Sequence, residues 1–303
     1  MLKSFQRERG LIHVKLHFIV IILGFSAIFG KLIHLDASGL VFFRTLIAVI
    51  FMLLWAFIMK YNFFSDKKAF LNGLWVGILL AAHWLTFFFS IKVSNVSVTL
   101  GCLGASTLFT AIFEPLTDKK KVSIRDIVAG VIIILGIYLI FRFEFRYVEG
   151  IIFAVISALL SSVFSVFNKH LSYRYDYRRL AFSELISACI ITVIVLLIAG
   201  SDPISQAGSM SVNDLIYLII LGSIGTAFAY TATISIIKKL NAYSVILAIN
   251  LEPVYGILLA RWIFGESELM SDGFYLGAAI ILVTVVLYSL GKKKDDKAVQ
   301  RTI

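Results

Sequence analysis

The sequence predicts an all-α integral membrane protein with ten transmembrane helices arranged as two inverted five-helix repeats. Three observations carry this. Of 303 residues, 60% are hydrophobic and 15% are charged, whereas soluble domains hold about a quarter charged residues. The apolar residues gather into runs close to the roughly 20 residues of helix that cross a bilayer. Lysine and arginine collect in alternate connections between the runs, the bias that orients helices in a membrane.

The first residues, Met1 to Lys15, are polar and basic. The run after them leads into Lys31 with no small-residue cleavage site, which marks a retained helix and not a signal peptide. The runs in order are Leu16–Ile33, Gly39–Met59, Ala69–Ile91, Val96–Leu116, Ile124–Phe141, Gly150–Asn168, Leu180–Gly200, Val212–Ile237, Ala242–Phe264 and Gly273–Leu290. Short connections make consecutive helices antiparallel neighbours. With the N-terminus inside, the basic groups around Lys60–Lys68, Lys119–Arg125, Lys169–Arg179, Lys238–Lys239 and Lys292–Arg301 also fall inside. Lys31, Lys92, Arg142, Arg146 and Arg261 fall at outer ends. Both termini are therefore expected in the cytoplasm and the protein in the inner (plasma) membrane. The same placement explains the net charge of +10 without nucleic acid as a partner.

The halves 1–146 and 147–303 read as related repeats. Gly30-Lys31 ends the first run and Asn168-Lys169 the sixth. Arg44 is early in the second run and Glu184 early in the seventh. Ser90-Ile91-Lys92 resembles Ser235-Ile236, and Gly130 corresponds to Gly277. With five spans each, the halves enter the membrane from opposite sides. Such repeats place binding sites near the midplane at their interface.

Polar groups inside apolar runs are the candidate site residues. Glu252 lies mid-run in Asn250-Leu251-Glu252-Pro253. An ionised carboxylate there costs roughly 2.5–3.5 kcal/mol or more, so it serves either a function or helix packing as a protonated or paired acid. Pro253 removes a backbone donor and frees a carbonyl one turn earlier. Asn250 faces away from Glu252 unless the proline distorts the helix. Arg44 either snorkels to the headgroups or clamps a carboxylate or phosphate with its fork. Glu184, which shares a face with Ser187, Ala188 and Thr192, is either neutralised by Arg178 or Arg179 or forms a proton or substrate-amine site. His83 either satisfies a packing contact or lines a path, and Trp84 beside it packs or stacks on a substrate. Thr226 and Tyr230 share a face with Gly222 and Thr233, and read as close helix packing or a cavity lining. Gly101, Gly104 and Ala105 in the fourth run suggest close packing and a hinge.

Several classes drop out. Cys102 and Cys189 both lie in apolar runs, so no disulfide framework or metal site is expected. The sequence carries no P-loop, serine elbow or HExxH, which argues against an enzyme, a nucleotide-driven pump and a cofactor.

The paired five-run halves, Phe43-Arg44-Thr45, the small-residue run Val98–Thr107, Leu251-Glu252-Pro253 and Phe264-Gly265-Glu266 resemble the EamA family of the drug/metabolite transporter superfamily. The resemblance covers nearly the whole chain. It departs in the fourth run, where Ser106-Thr107 stands in the place of Glu252-Pro253. It implies a carrier for small polar metabolites such as amino acids, often an exporter. It also implies a central cavity among runs one to four and six to nine, with the fifth and tenth peripheral. The expected partners are a small-molecule substrate, membrane lipids and, if transport is coupled, protons; a monomer suffices. Embedded lipid flippases and accessory subunits are the other classes this pattern admits.

Overall fold

The computed structural model describes residues 2–119, 121–237 and 251–300, with side chains from 15 to 236 (bar 120) and from 251 to 288. Among these residues there is no strand. The helices are α1 (Leu2–Leu32), α2 (Ala37–Met59), α3 (Lys67–Val93), α4 (Val96–Leu103), α5 (Ser106–Thr117), α6 (Ile124–Phe143), α7 (Val148–Arg174), α8 (Tyr177–Ile198), the short α9 (Pro203–Gly208), α10 (Val212–Ile220), α11 (Ala229–Ile237), α12 (Glu252–Phe264) and α13 (Asp272–Gln300). A π-helical segment, Leu221–Phe228, joins α10 to α11.

Eight segments among the described residues are long and apolar enough to cross a membrane, and they fall on the first eight apolar runs. The ninth run lies partly outside the described residues; α12 is the described part of it. In α13 the apolar part, Asp272–Tyr288, is shorter. Large side chains such as Phe57, Ile58, Ile124, Ile198 and Trp262 are exposed on the helix surfaces. A hydrocarbon surround is the environment that such a coat of apolar side chains fits.

Local sequence explains the helix ends. Asp36, Asp66, Asn95 and Asp176 cap α2, α3, α4 and α8, each accepting a backbone N–H of the first turn. Ser123 and Ser211 form capping boxes with Asp126 and Asp214. These side chains satisfy donors that no intrahelical partner reaches. At the α8 start, burial pushes the Asp176 carboxyl up, but the side-chain and backbone bonds from Arg178 and the bond from the Tyr61 hydroxyl outweigh it, holding it at about 2.

Two large apolar cores, with two smaller clusters beside them, hold most of the buried apolar side chains among the described residues. One gathers side chains from α1, α2, α3, α8, the π segment and α11. The other gathers α4–α7 and α13. Within the second, α6 and α13 pack chiefly on each other. The centre is α3, packed along α7 and α8. Gly77 of α3 permits the close approach to α8: a Cβ there would meet the Glu184 backbone oxygen at 2.5 Å. Gly222 does the same for the π segment against α2, where a Cβ would lie 2.6 Å from Ile47 Cγ2 and 3.0 Å from the Arg44 backbone oxygen.

The fourth run is interrupted after all. Gly104 and Ala105 form a turn between α4 and α5, and Ser106 opens α5. Glu252 opens α12 with Pro253 in its first turn. The two motifs that correspond in sequence thus both start helices, although one lacks the proline.

Candidate functional site

Arg44 stands on α2, seven residues past its start, yet its side chain is 3% exposed. It does not snorkel. Nε and Nη2 both donate to Thr226 Oγ1, at 3.1 and 2.9 Å. The Thr226 hydroxyl in turn donates to the Leu221 carbonyl at 2.7 Å. That bond spans five residues, the spacing of the π segment, and it turns the threonine oxygen into an acceptor for the arginine. Single π turns inside helices frequently mark functional sites. The guanidinium also lies over two aromatic faces, with ring centres at 4.2 Å for Trp84 and 5.0 Å for Phe88. Both rings are buried.

No carboxylate among the described residues lies within 4.0 Å of the Arg44 nitrogens. The acid acting on it electrostatically is Glu252, from a distance. Glu252 opens α12 where that helix meets α1: the Cβ position of Gly24 lies 3.4 Å from the Gly256 nitrogen and 3.7 Å from the Glu252 carbonyl oxygen. Asn250, its neighbour in the sequence reading, lies outside the described residues.

Beyond Trp84 the polar track continues. Tyr230 stacks edge-on against Trp84 at 5.8 Å. Its hydroxyl donates to Glu184 Oε2. Asn168 Nδ2 donates to the same carboxylate oxygen at 3.2 Å and to the Tyr230 hydroxyl at 3.1 Å. Glu184 is fully buried and Asn168 nearly so. The neutralisation by Arg178 or Arg179 weighed from sequence is not what the structure shows: Arg178 pairs with Asp176 at 3.0 Å, and Glu184 has no ion pair among the described residues.

His83 is turned away from this track. Its Nδ1 lies 3.0 Å from the Ser157 carbonyl and 2.9 Å from the Ser157 hydroxyl, which donates to the His83 carbonyl at 3.1 Å. Its ring faces Phe164 and Phe87. This clasp holds α3 to α7. His83→Leu is expected to lower the thermal stability of the purified protein by about 1–3 kcal/mol, the cost of a lost buried hydrogen-bond network; a melting curve checks it.

Two ion pairs close opposite ends of the bundle. At one end Glu268, fully buried between α12 and α13, accepts from Lys31 Nζ at 2.9 Å and from the Val96 and Ser97 amides at 3.2 and 2.8 Å. At the same end Lys92 donates to the Ile33 carbonyl. At the other end Lys169 pairs with Glu114, and beside it His170 Nε2 lies in hydrogen-bond contact with Asp118 Oδ1 at 2.8 Å. Glu268 is absent from the sequence-based candidates; its neighbour Glu266, which is exposed, enters them only as part of the Phe264-Gly265-Glu266 motif. A signal was present: a second acid two residues on, opposite a lysine that ends the first run.

A lateral groove of about 180 Å³ opens beside the π segment. It is lined almost wholly by apolar atoms of Ile22, Phe25, Phe29, Ile220, Leu221, Ile224 and Gly225. No group of metal-ligating side chains occurs among the described residues.

The profile of the EamA-like transporter family matches residues 14–142 and 148–290. No curated protein matches the sequence significantly. A solved chain described as "Crystal structure of protein" is similar in fold at 14% identity, with a TM-score of 0.63 over 92% of this chain and 97% of the other.

Proposed function

Because the chain belongs to the EamA-like transporter family, and is thus a membrane transporter of the drug/metabolite type, we propose that it carries small polar metabolites bearing an anionic group, amino acids among them. The observation that carries this reading is Arg44: a buried cation with N–H groups left over and no ion pair among the described residues. Burying an unpaired charge costs several kcal/mol. Such a charge persists where a ligand completes it, and the guanidinium fork fits a carboxylate or phosphate. Trp84 and Phe88 form a wall beside the anion, and Glu252 acts on the arginine electrostatically from a distance.

In this reading the protein is an inner-membrane carrier of ten helices in two inverted repeats, 1–146 and 147–303, with both termini cytoplasmic and export as its direction. The repeats rock about the Arg44 site, passively or coupled to protons. The Lys31–Glu268 and Lys169–Glu114 pairs are the outer and inner closures, which open in turn. The test is flux in proteoliposomes of an amino-acid and metabolite panel, with and without an imposed pH gradient, for wild type and Glu252→Gln. Flux of an anionic or zwitterionic compound supports the reading. If it follows the gradient in wild type but not in the variant, the proton passes through Glu252. Absence of flux for every compound contradicts the reading.

One observation favours a second reading, a lipid flippase. The lateral apolar groove adjoins the π segment that holds Arg44, so an acyl chain could lie in it with its headgroup at the arginine. Translocation of labelled lipids, with no flux of soluble metabolites, would select this reading.

A further inference from the structure

We infer that Glu184 and Asn168 form a proton-binding site, which closes into a cyclic carboxyl–carboxamide pair when Glu184 takes up a proton on Oε1. The inference deepens the carrier reading and rests on it for any role in transport, though not for the chemistry.

The hydrogen-bond pattern is lopsided. Glu184 Oε2 receives two donors, the Tyr230 hydroxyl and Asn168 Nδ2. Glu184 Oε1 receives none, and neither does Asn168 Oδ1, although both atoms are shut away from solvent. Both orphans are acceptors, so the missing component is a donor. A carboxylic acid and a carboxamide pair through two antiparallel bonds: amide N–H to carboxyl oxygen, and carboxyl O–H to amide oxygen. The first bond is in place at 3.2 Å. A proton on Oε1 supplies the second, so one proton taken from water answers both orphan oxygens and leaves the group neutral.

The surrounding charges do not compete for this carboxyl. From α3, His83 is held by Ser157, and from α2, Arg44 is held at Thr226. From α7, Lys169 is paired with Glu114. On α8 itself Arg178 is paired with Asp176, and Arg179 reaches the Asn62 carbonyl at 3.5 Å. From α11 comes Tyr230, already a donor to the carboxylate. The site also has a route to the arginine. Tyr230 lies against Trp84, and Trp84 lies under Arg44. A change of charge on Glu184 moves the Tyr230 hydroxyl and is felt at the ring that supports the anion site.

The test is infrared difference spectroscopy on wild type, Glu184→Gln and Asn168→Leu in lipid, stepped between about pH 5 and 9 without substrate. The expected result is one carboxylic C=O band that gains intensity as pH falls. It should be absent in Glu184→Gln and should have a displaced frequency and midpoint in Asn168→Leu. Glu184→Gln carries an amide N–H where the proton would be, so it should keep the wild-type melting temperature. The inference is overturned if Glu184 gives no titrating band in that range. It is also overturned if Trp fluorescence at fixed pH responds to sodium while no band responds to protons, which would make this a metal-cation site. A titrating Glu184 band in a protein that moves no substrate would uphold the proton site and sink the carrier reading, so the two can fail separately.

Discussion

Arg44→Leu is expected to abolish flux while leaving the melting temperature unchanged or higher. The two effects share one cause. The guanidinium is buried without an ion pair among the described residues, so the fold bears its desolvation. Removing it strands only the Thr226 oxygen, whose own proton is already bonded to Leu221. Leucine fills the place between Trp84 and Phe88 with apolar volume. Replacing buried charge by packed hydrophobic atoms is often neutral or stabilising by about 1–4 kcal/mol. The substrate, however, loses its counter-charge. Arg44→Lys separates charge from shape: it keeps a cation but loses the fork and the stacking on two rings. A charge-assisted bond is worth about 1.5–3 kcal/mol, so flux at subsaturating substrate should fall by roughly 10-fold to 100-fold. Flux assays and melting curves on the same preparations check both parts. A variant that loses stability as well as flux would mean that Arg44 is a structural brace.

Glu268→Ala should be among the most destabilising single substitutions outside the membrane-spanning helices. Its carboxylate holds three donors at once, Lys31 and two amides of the first turn of α4. Truncation leaves a partly exposed lysine and the buried N-terminus of α4 without their partner. Each buried donor left unsatisfied costs about 1–3 kcal/mol. Glu268→Gln keeps an acceptor for one or two of the donors and should lose less. Glu266→Ala, at an exposed position two residues earlier, should stay within about 0.5 kcal/mol of wild type. Thermal unfolding of the three variants in one detergent tests the ranking, and equal losses at 266 and 268 would contradict it.

The contrast between these two glutamates shows what the sequence made legible. Apolar runs give helices because a bilayer leaves the backbone no other partner than itself, and eight of the runs are recovered as spanning segments. Capping residues mark their ends. Arg44, Glu184 and Glu252 stood out because charge inside an apolar run is rare. How such residues combine was not legible. Thr226 and Tyr230 share a face at ordinary helical spacing in the sequence, but Thr226 lies within a π segment that ends before Tyr230 and whose extra residue no periodicity announces. His83 and Trp84 are adjacent in sequence but point to different neighbours, one to Ser157 on α7 and the other to Arg44 on α2. Asn168 reads in sequence as the end of the sixth run, and its contact with Glu184 crosses between helices. Glu268 escaped notice because it falls in a connection, where an acid is commonplace. The interruption of the fourth run was legible only as a hinge among Gly101, Gly104 and Ala105, since no proline marks the turn.

In the carrier reading the Arg44 site faces the two sides of the membrane in turn. This is tested most directly by side-specific labelling of Thr226→Cys in a background where Cys102 and Cys189 are replaced by serine. A thiol beside a guanidinium is readily ionised and reactive. The result predicted is labelling by a membrane-impermeant reagent from either face. Labelling from one face should cease when Lys31 and Glu268 are both replaced by cysteine and crosslinked, with the other face unaffected. A thiol reached from neither face, or from one face whatever the state of the crosslink, would contradict alternating access and leave Arg44 as a buried structural charge.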